Sequence, residues 1–144
     1  MARQNIVDGL VAQLRLTNGF EAGNSGTAVA DDHRVLGMGV DRAAIVLANE
    51  GEQERLVMGK NALTHSLDIE LYIRHNNDVV QARRDAHIYN SNIIARINGN
   101  STLGGSAFDA LVTGYRVEDE SFQFGKVPFL KEVLTIKAIE DLTA

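Results

Sequence analysis

The sequence predicts an α+β fold, a mainly antiparallel or mixed sheet with two helices packed on one face. Three observations predict it. In residues 67–73, Leu67, Ile69, Leu71 and Ile73 alternate with Asp68, Glu70 and Tyr72, the period of a half-buried strand. Residues 6–14 and 82–97 instead repeat apolar side chains every three or four positions, the period of a helix lying on a core. Helical and strand segments do not alternate regularly along the chain, which argues against a doubly wound parallel sheet. With 144 residues, one domain spanning 1–144 is the natural expectation.

Each element follows from its residues. Ile6, Leu10 and Leu14, with Val7 and Val11 beside them, predict a first helix from about Arg3 to Leu16, stopped at Asn18-Gly19. Residues 17–41 are rich in Gly, Asn, Ser and Asp, and are expected to form a long arm or irregular loop, with a short strand near Thr27 to Ala30. The apolar, β-branched run at 43–49 suits a buried central strand. A turn at Gly59-Lys60-Asn61 predicts a hairpin leading into the alternating strand.

Asn77-Asp78 marks the start of a second helix, whose stripe is Ala82, Ala86, Tyr89, Ile93 and Ile97, widened by Val79 and Ile94. Residues 98–100 end it. Gly104-Gly105 is expected to bend the chain from helix into strand, since glycine reaches positive φ without steric cost. Leu111, Thr113, Tyr115 and Val117 are placed on one face of the next strand. In the last strand Leu134, Ile136 and Ala138 oppose Val133, Thr135 and Lys137. These two strands are expected to pair through a polar turn around Glu118 to Gly125.

The composition narrows the chemistry. There is no cysteine, which excludes disulfides, thiolate metal sites and a cysteine nucleophile. The formal net charge is −5 and the basic residues are scattered, with Arg83-Arg84 as the adjacent pair, so tight binding to a phosphate backbone is not expected. No apolar run approaches the roughly 18 residues of a membrane span, and the first residues do not read as a signal peptide, so a cytosolic-type chain is expected.

Motifs for catalysis or ligand binding are weak. Gly104-Gly105 lacks the lysine and spacing of a phosphate loop, and Gly37-Met38-Gly39 has no fitting helix after it. Asp31-Asp32-His33 offers two carboxylates and an imidazole, but His65, His75 and His87 fall in other elements. His65 and Asp68 are three apart on a strand and point to opposite faces, so they form no local dyad. No catalytic residue, cofactor or metal ligand is expected.

Two features read as contact surfaces or as ordinary solvated structure. Acidic groups occur at Glu50, Glu52 and Glu54 and at Glu118, Asp119 and Glu120. Three phenylalanines, Phe122, Phe124 and Phe129, fall within eight residues around Pro128, either capping the core or forming an exposed patch.

In order, the segments 6–16, 43–54, 63–78, 82–120 and 131–142 resemble the tail terminator (tail completion) proteins of long-tailed phages, also described as minor tail proteins. The Leu103-Gly104-Gly105 link after the second helix is the sharpest local mark. Residues 17–41 depart from the shorter members of that family. The resemblance implies a non-enzymatic structural protein of the virion, at the head-proximal end of the tail and assembled in the host cytoplasm. It implies a homo-hexameric ring that ends polymerisation of the tail tube protein and meets a neck or head–tail connector protein. DNA would pass without specific binding. On this view Glu118, Asp119 and Glu120 line a lumen or partner surface, and Arg83, Arg84, Phe122, Phe124 and Phe129 make subunit contacts. The alternatives are a head-completion or neck adaptor protein and, from another class, a small enzyme or small-molecule binder.

Overall fold

The alternating row at 67–73 lies in the middle strand of a single sheet. The computed structural model describes residues 2–21, 26–57, 60–75, 78–105, 107, 109–125 and 127–141. Side chains at 52–57, 60–62, 119–122 and 141 lie outside that description. Helix α1 spans Ala2–Arg15 and α2 spans Val79–Asn98, with strands β1 Gly26–Ala30, β2 Arg42–Val57, β3 Lys60–Arg74, β4 Asp109–Phe124 and β5 Val127–Asp141. The five strands are ordered β1-β2-β3-β5-β4. β1 runs parallel to β2, and every other neighbouring pair is antiparallel. The fold is α+β, with the helices on one face of a mixed sheet, as the sequence predicts.

That face holds the main core. Ile6, Leu10 and Leu14 of α1 and Ala82, Ala86, Ile93 and Ile97 of α2 pack on Ala44 and Val46 of β2, Leu67, Ile69, Leu71 and Ile73 of β3, and Leu134, Ile136 and Ala138 of β5. Each strand supplies every second residue, so one sheet face is largely apolar. α2 opens on Asp78, whose side chain accepts a hydrogen bond from the Gln81 amide at 3.0 Å and satisfies an otherwise unpaired donor. Asn90, rather than Tyr89, lies in its buried stripe. Tyr89 turns to the flank, edge-on to Phe20 at 5.6 Å.

Asn90 has a specific partner. Its amide donates to Oε1 of Glu132 at 3.2 Å, and Glu132 is fully buried on the core side of β5. Its Oε2 has no hydrogen-bond partner among the described residues. A carboxylate inside an apolar layer is costly unless its lone pairs are met, so this bond fixes where α2 sits on the sheet.

The other face is covered only in part. A short 3-10 turn at His33–Gly37 lays Val35 and Leu36 over Ala43, Ile45, Tyr72 and Phe129, which form a second, smaller cluster. Residues 17–41 are therefore not a structureless arm where described, since they contribute β1 and this turn.

Two further expectations are corrected. The polar stretch 118–125 is not a turn, because β4 runs on to Phe124 and pairs it with Val127. Nor do Leu111, Thr113, Tyr115 and Val117 share a face. A register shift between Val112 and Gly114 leaves Leu111 opposite Lys137 but places Tyr115 opposite Leu134, on the helix side. The strand signal was right, and one extra residue at Thr113 reversed its phase. Leu103, Gly104 and Gly105 lead into β4 with φ of 50°, 72° and 95°, the left-handed backbone that the two glycines supply without strain.

Among the described residues no helix is long and apolar enough to cross a membrane. Ile69 is fully buried at the centre of the sheet, whereas Val80 on α2 is exposed. Ile69→Ala is expected to cost about 2–5 kcal/mol in urea unfolding, against less than about 0.5 kcal/mol for Val80→Ala.

Candidate functional site

The face turned away from the helices carries a chain of polar groups across three strands. Asp68, Glu70 and Tyr72 are the alternate residues of β3, and Lys131 of β5 lies opposite Tyr72. Glu70 is the hub. Its Oε1 accepts from His33 Nε2 at 2.6 Å and from the Tyr72 hydroxyl at 3.0 Å, and its Oε2 lies 3.4 Å from Lys131 Nζ. Lys131 Nζ is also 3.2 Å from Glu118 Oε1, and Arg116 reaches the other oxygen of Glu118 at 3.2 Å. The lysine ammonium stands 5.8 Å from the centroid of the Tyr72 ring. His33 begins the 3-10 turn, so the same chain of contacts ties that turn to the sheet.

The electrostatics follow from this geometry. Burial works to raise the Glu70 carboxyl, but hydrogen bonds from His33 and Tyr72, with the Lys131 charge, hold it below its ordinary value. Burial, then the adjacent Glu70 charge and hydrogen bond, push the Tyr72 phenol up. Asp68 is also raised, by burial first, with Arg116 opposing and Glu70 and Glu118 adding to the shift. Glu118 and Glu70 thus each meet a cation, and the network reads as the fastening of the second sheet face. Among the described residues no group of three or more His, Asp or Glu could hold a metal ion.

The residues singled out in the sequence scatter over the molecule. Glu118 is held by Arg116 and Lys131 and is not a bare acid. The side chains of Asp119, Glu120 and Phe122 lie outside the described residues. Phe129 is fully buried and Phe124 half-buried in the second cluster, so these two serve the core rather than an exposed contact patch. Their aromatic bulk helps to close the thinner side of the sheet, beneath the 3-10 turn.

Arg83 and Arg84 lie on the exposed surface of α2 and, with Val79, Val80 and His87, line an open groove of about 450 Å³. Asp32 caps the 3-10 turn by accepting from the Arg34 amide at 3.1 Å, and hydrogen bonds from Arg34 hold its carboxyl below the usual range.

Sequence reasoning missed two pairs. His33 with Glu70 joins residues 37 apart, and His65 Nε2 with Glu140 Oε2, at 2.9 Å, joins residues 75 apart. It also missed the exposed apolar set on the outer strand, Leu111, Tyr115 and Val117. The chain matches no protein-family model and no curated protein.

The depressed Glu70 carboxyl gives a signed expectation. Its contribution to stability is fully present above its ordinary value of 4.5 and is lost as the pH falls through the lower folded value. Glu70→Gln should therefore unfold at lower urea than the parent at neutral pH, and the gap between the two should narrow below about pH 4. Paired urea titrations at the two pH values check this.

Proposed function

We propose that the chain is a structural virion protein of the tail-terminator kind. It assembles into a ring that caps the tail tube, stops its growth and offers the head or neck a docking surface. The observation that supports this most is the outer edge of the sheet. β4 is 16 residues long, lies at the end of the strand order, and exposes Leu111, Tyr115 and Val117. A long edge strand with unpaired backbone groups is a template for another chain, and monomers seldom leave such an edge bare. The resemblance of the chain's segments, in order, to that family, including the Leu103-Gly104-Gly105 link, supports the same reading.

The physical mechanism is one of closure. Head-to-tail contacts make a ring when the rotation per subunit closes on itself. A ring seated on the tube end hides the surface that the next tube subunit would use. DNA would pass through it because a chain of net charge −5 releases few counterions from a phosphate backbone. Glu118 contributes little to that repulsion, being neutralised by Arg116 and Lys131. Arg83 and Arg84 remain surface groups for a neighbouring subunit or for the tube.

Light scattering at high protein concentration, or with tube ends present, is expected to give a particle of about six subunits. Electron microscopy of tails assembled without this protein is expected to show abnormally long tubes. Tubes of normal length that lack heads would instead indicate a neck adaptor.

A further inference from the structure

A second notable feature lies at the opposite edge of the sheet. β1 pairs with Arg42 to Val46, and among the described residues no strand pairs with the outer edge of β2 from residue 47 to 57. Beside this open edge is a cavity of about 250 Å³, lined by Arg3, Asn49, Glu50, Gly51, Leu63 and His65 among others. His65 is almost completely buried and lies opposite Ala138, on the helix side of the sheet. Glu140 accepts the proton on its Nε2 at 2.9 Å, which leaves Nδ1 as an acceptor in the neutral ring. Nδ1 lies 3.6 Å from the place where a Cβ on Gly51 would stand, and no described residue donates to it. The site is a largely apolar socket with one oriented acceptor inside, and Arg3, Asn49 and Glu50 also belong to its lining.

We propose that this socket receives Tyr115 of a neighbouring copy, with β4 of one molecule laid antiparallel along the open stretch of β2 of the next. The inference rests on the self-associating reading above and names the contact that performs it. Four observations carry it. The part of β2 beyond β1 and the outer side of β4 form opposite edges of the sheet, and the two strands run in opposite directions, since three antiparallel pairings separate them. A neighbour that continues the sheet therefore presents β4 to β2 in antiparallel order with no inversion.

Tyr115 is 59% exposed, and its register places it on the helix side, the same side as Gly51 and His65. The phenol hydroxyl supplies the donor that Nδ1 lacks, and its ring takes the space left by the missing side chain of Gly51. An aromatic laid across a glycine in the adjacent strand is a recurrent way of filling such a gap. Finally, with Tyr115 beside Gly51, the next residue on each strand pairs Arg116 with Glu50 on the other face, opposite charges in cross-strand contact.

The chain has no cysteine, so introduced thiols report without background. A Cβ on Gly51 would meet Leu63 at 3.5 Å and His65 at 3.6 Å, ordinary contacts that Gly51→Cys can accept. Tyr115→Cys and Gly51→Cys, made separately, mixed at high concentration and mildly oxidised, are expected to give a disulfide-linked heterodimer. The double variant is expected to give a ladder of higher oligomers. Tyr115→Phe should weaken association of the unlinked protein by about tenfold, and Tyr115→Ala by about a hundredfold or more.

Cross-linking of Tyr115→Cys with itself would mean that two β4 edges pair, and would overturn the proposal. So would a mixture that associates by light scattering yet yields no covalent product, or a Tyr115→Ala variant that associates like the parent. The size of the parent protein, measured alongside, separates the two levels. Rings without the cross-link leave the ring reading standing and remove Tyr115 from the interface, whereas a parent that is never larger than a monomer removes both.

Discussion

The structure depends on covering one face of its sheet far more thickly than the other. Two helices lie on one side, and on the other, among the described residues, lies the 3-10 turn at His33–Gly37. The strands beneath must therefore carry two chemistries at once. β3 shows this most clearly, with Leu67, Ile69 and Leu71 sealed under the helices and Asp68, Glu70 and Tyr72 facing the thinly covered side. Because the thin side cannot exclude water by bulk, it is held by charge. Glu70 gathers His33, Tyr72 and Lys131, and Lys131 extends the chain to Glu118 on the neighbouring strand. Surface ion pairs taken singly contribute little, but here Glu70 and Lys131 are partly buried and each is shared between partners, which makes the set more than a sum of isolated pairs.

The same economy leaves the sheet open at its sides. β1 is five residues long and shields the beginning of β2, and among the described residues no strand pairs with the outer side of β4. Apolar side chains are exposed along that edge and on the second helix. Leu111, Tyr115 and Val117 lie along an edge, and Val80 and Ile88 lie on the helix above the sheet.

Much of the fold was legible in the residues because its strongest signals are local. Period two at 67–73 and the helical stripes at 6–14 and 82–97 need no partner to be recognised. Other features depended on what lies across the sheet. The bulge at Thr113 leaves no mark in a single strand, since it exists only relative to β5. The acids at 118–120 resembled a solvated turn, and only pairing with β5 shows that they continue β4. Phe129 and Phe124 offered no sign of whether they cap a core or face a partner, because that depends on the distant turn carrying Val35 and Leu36. Contacts between distant segments were hidden for the same reason. His65 and Glu140 acquire meaning only when 75 intervening residues bring them to one end of the sheet.

The buried bond between Asn90 and Glu132 has a consequence for how the surface is presented. If α2 slid by a turn or rolled about its axis, a carboxylate would be stranded in hydrocarbon, so the helix is pinned against both movements. Its outward side, with Arg83, Arg84 and His87, is thereby aimed in one fixed direction. Whatever meets that side finds a template already set, and the entropy of arranging the helix is settled when the chain folds, before any encounter.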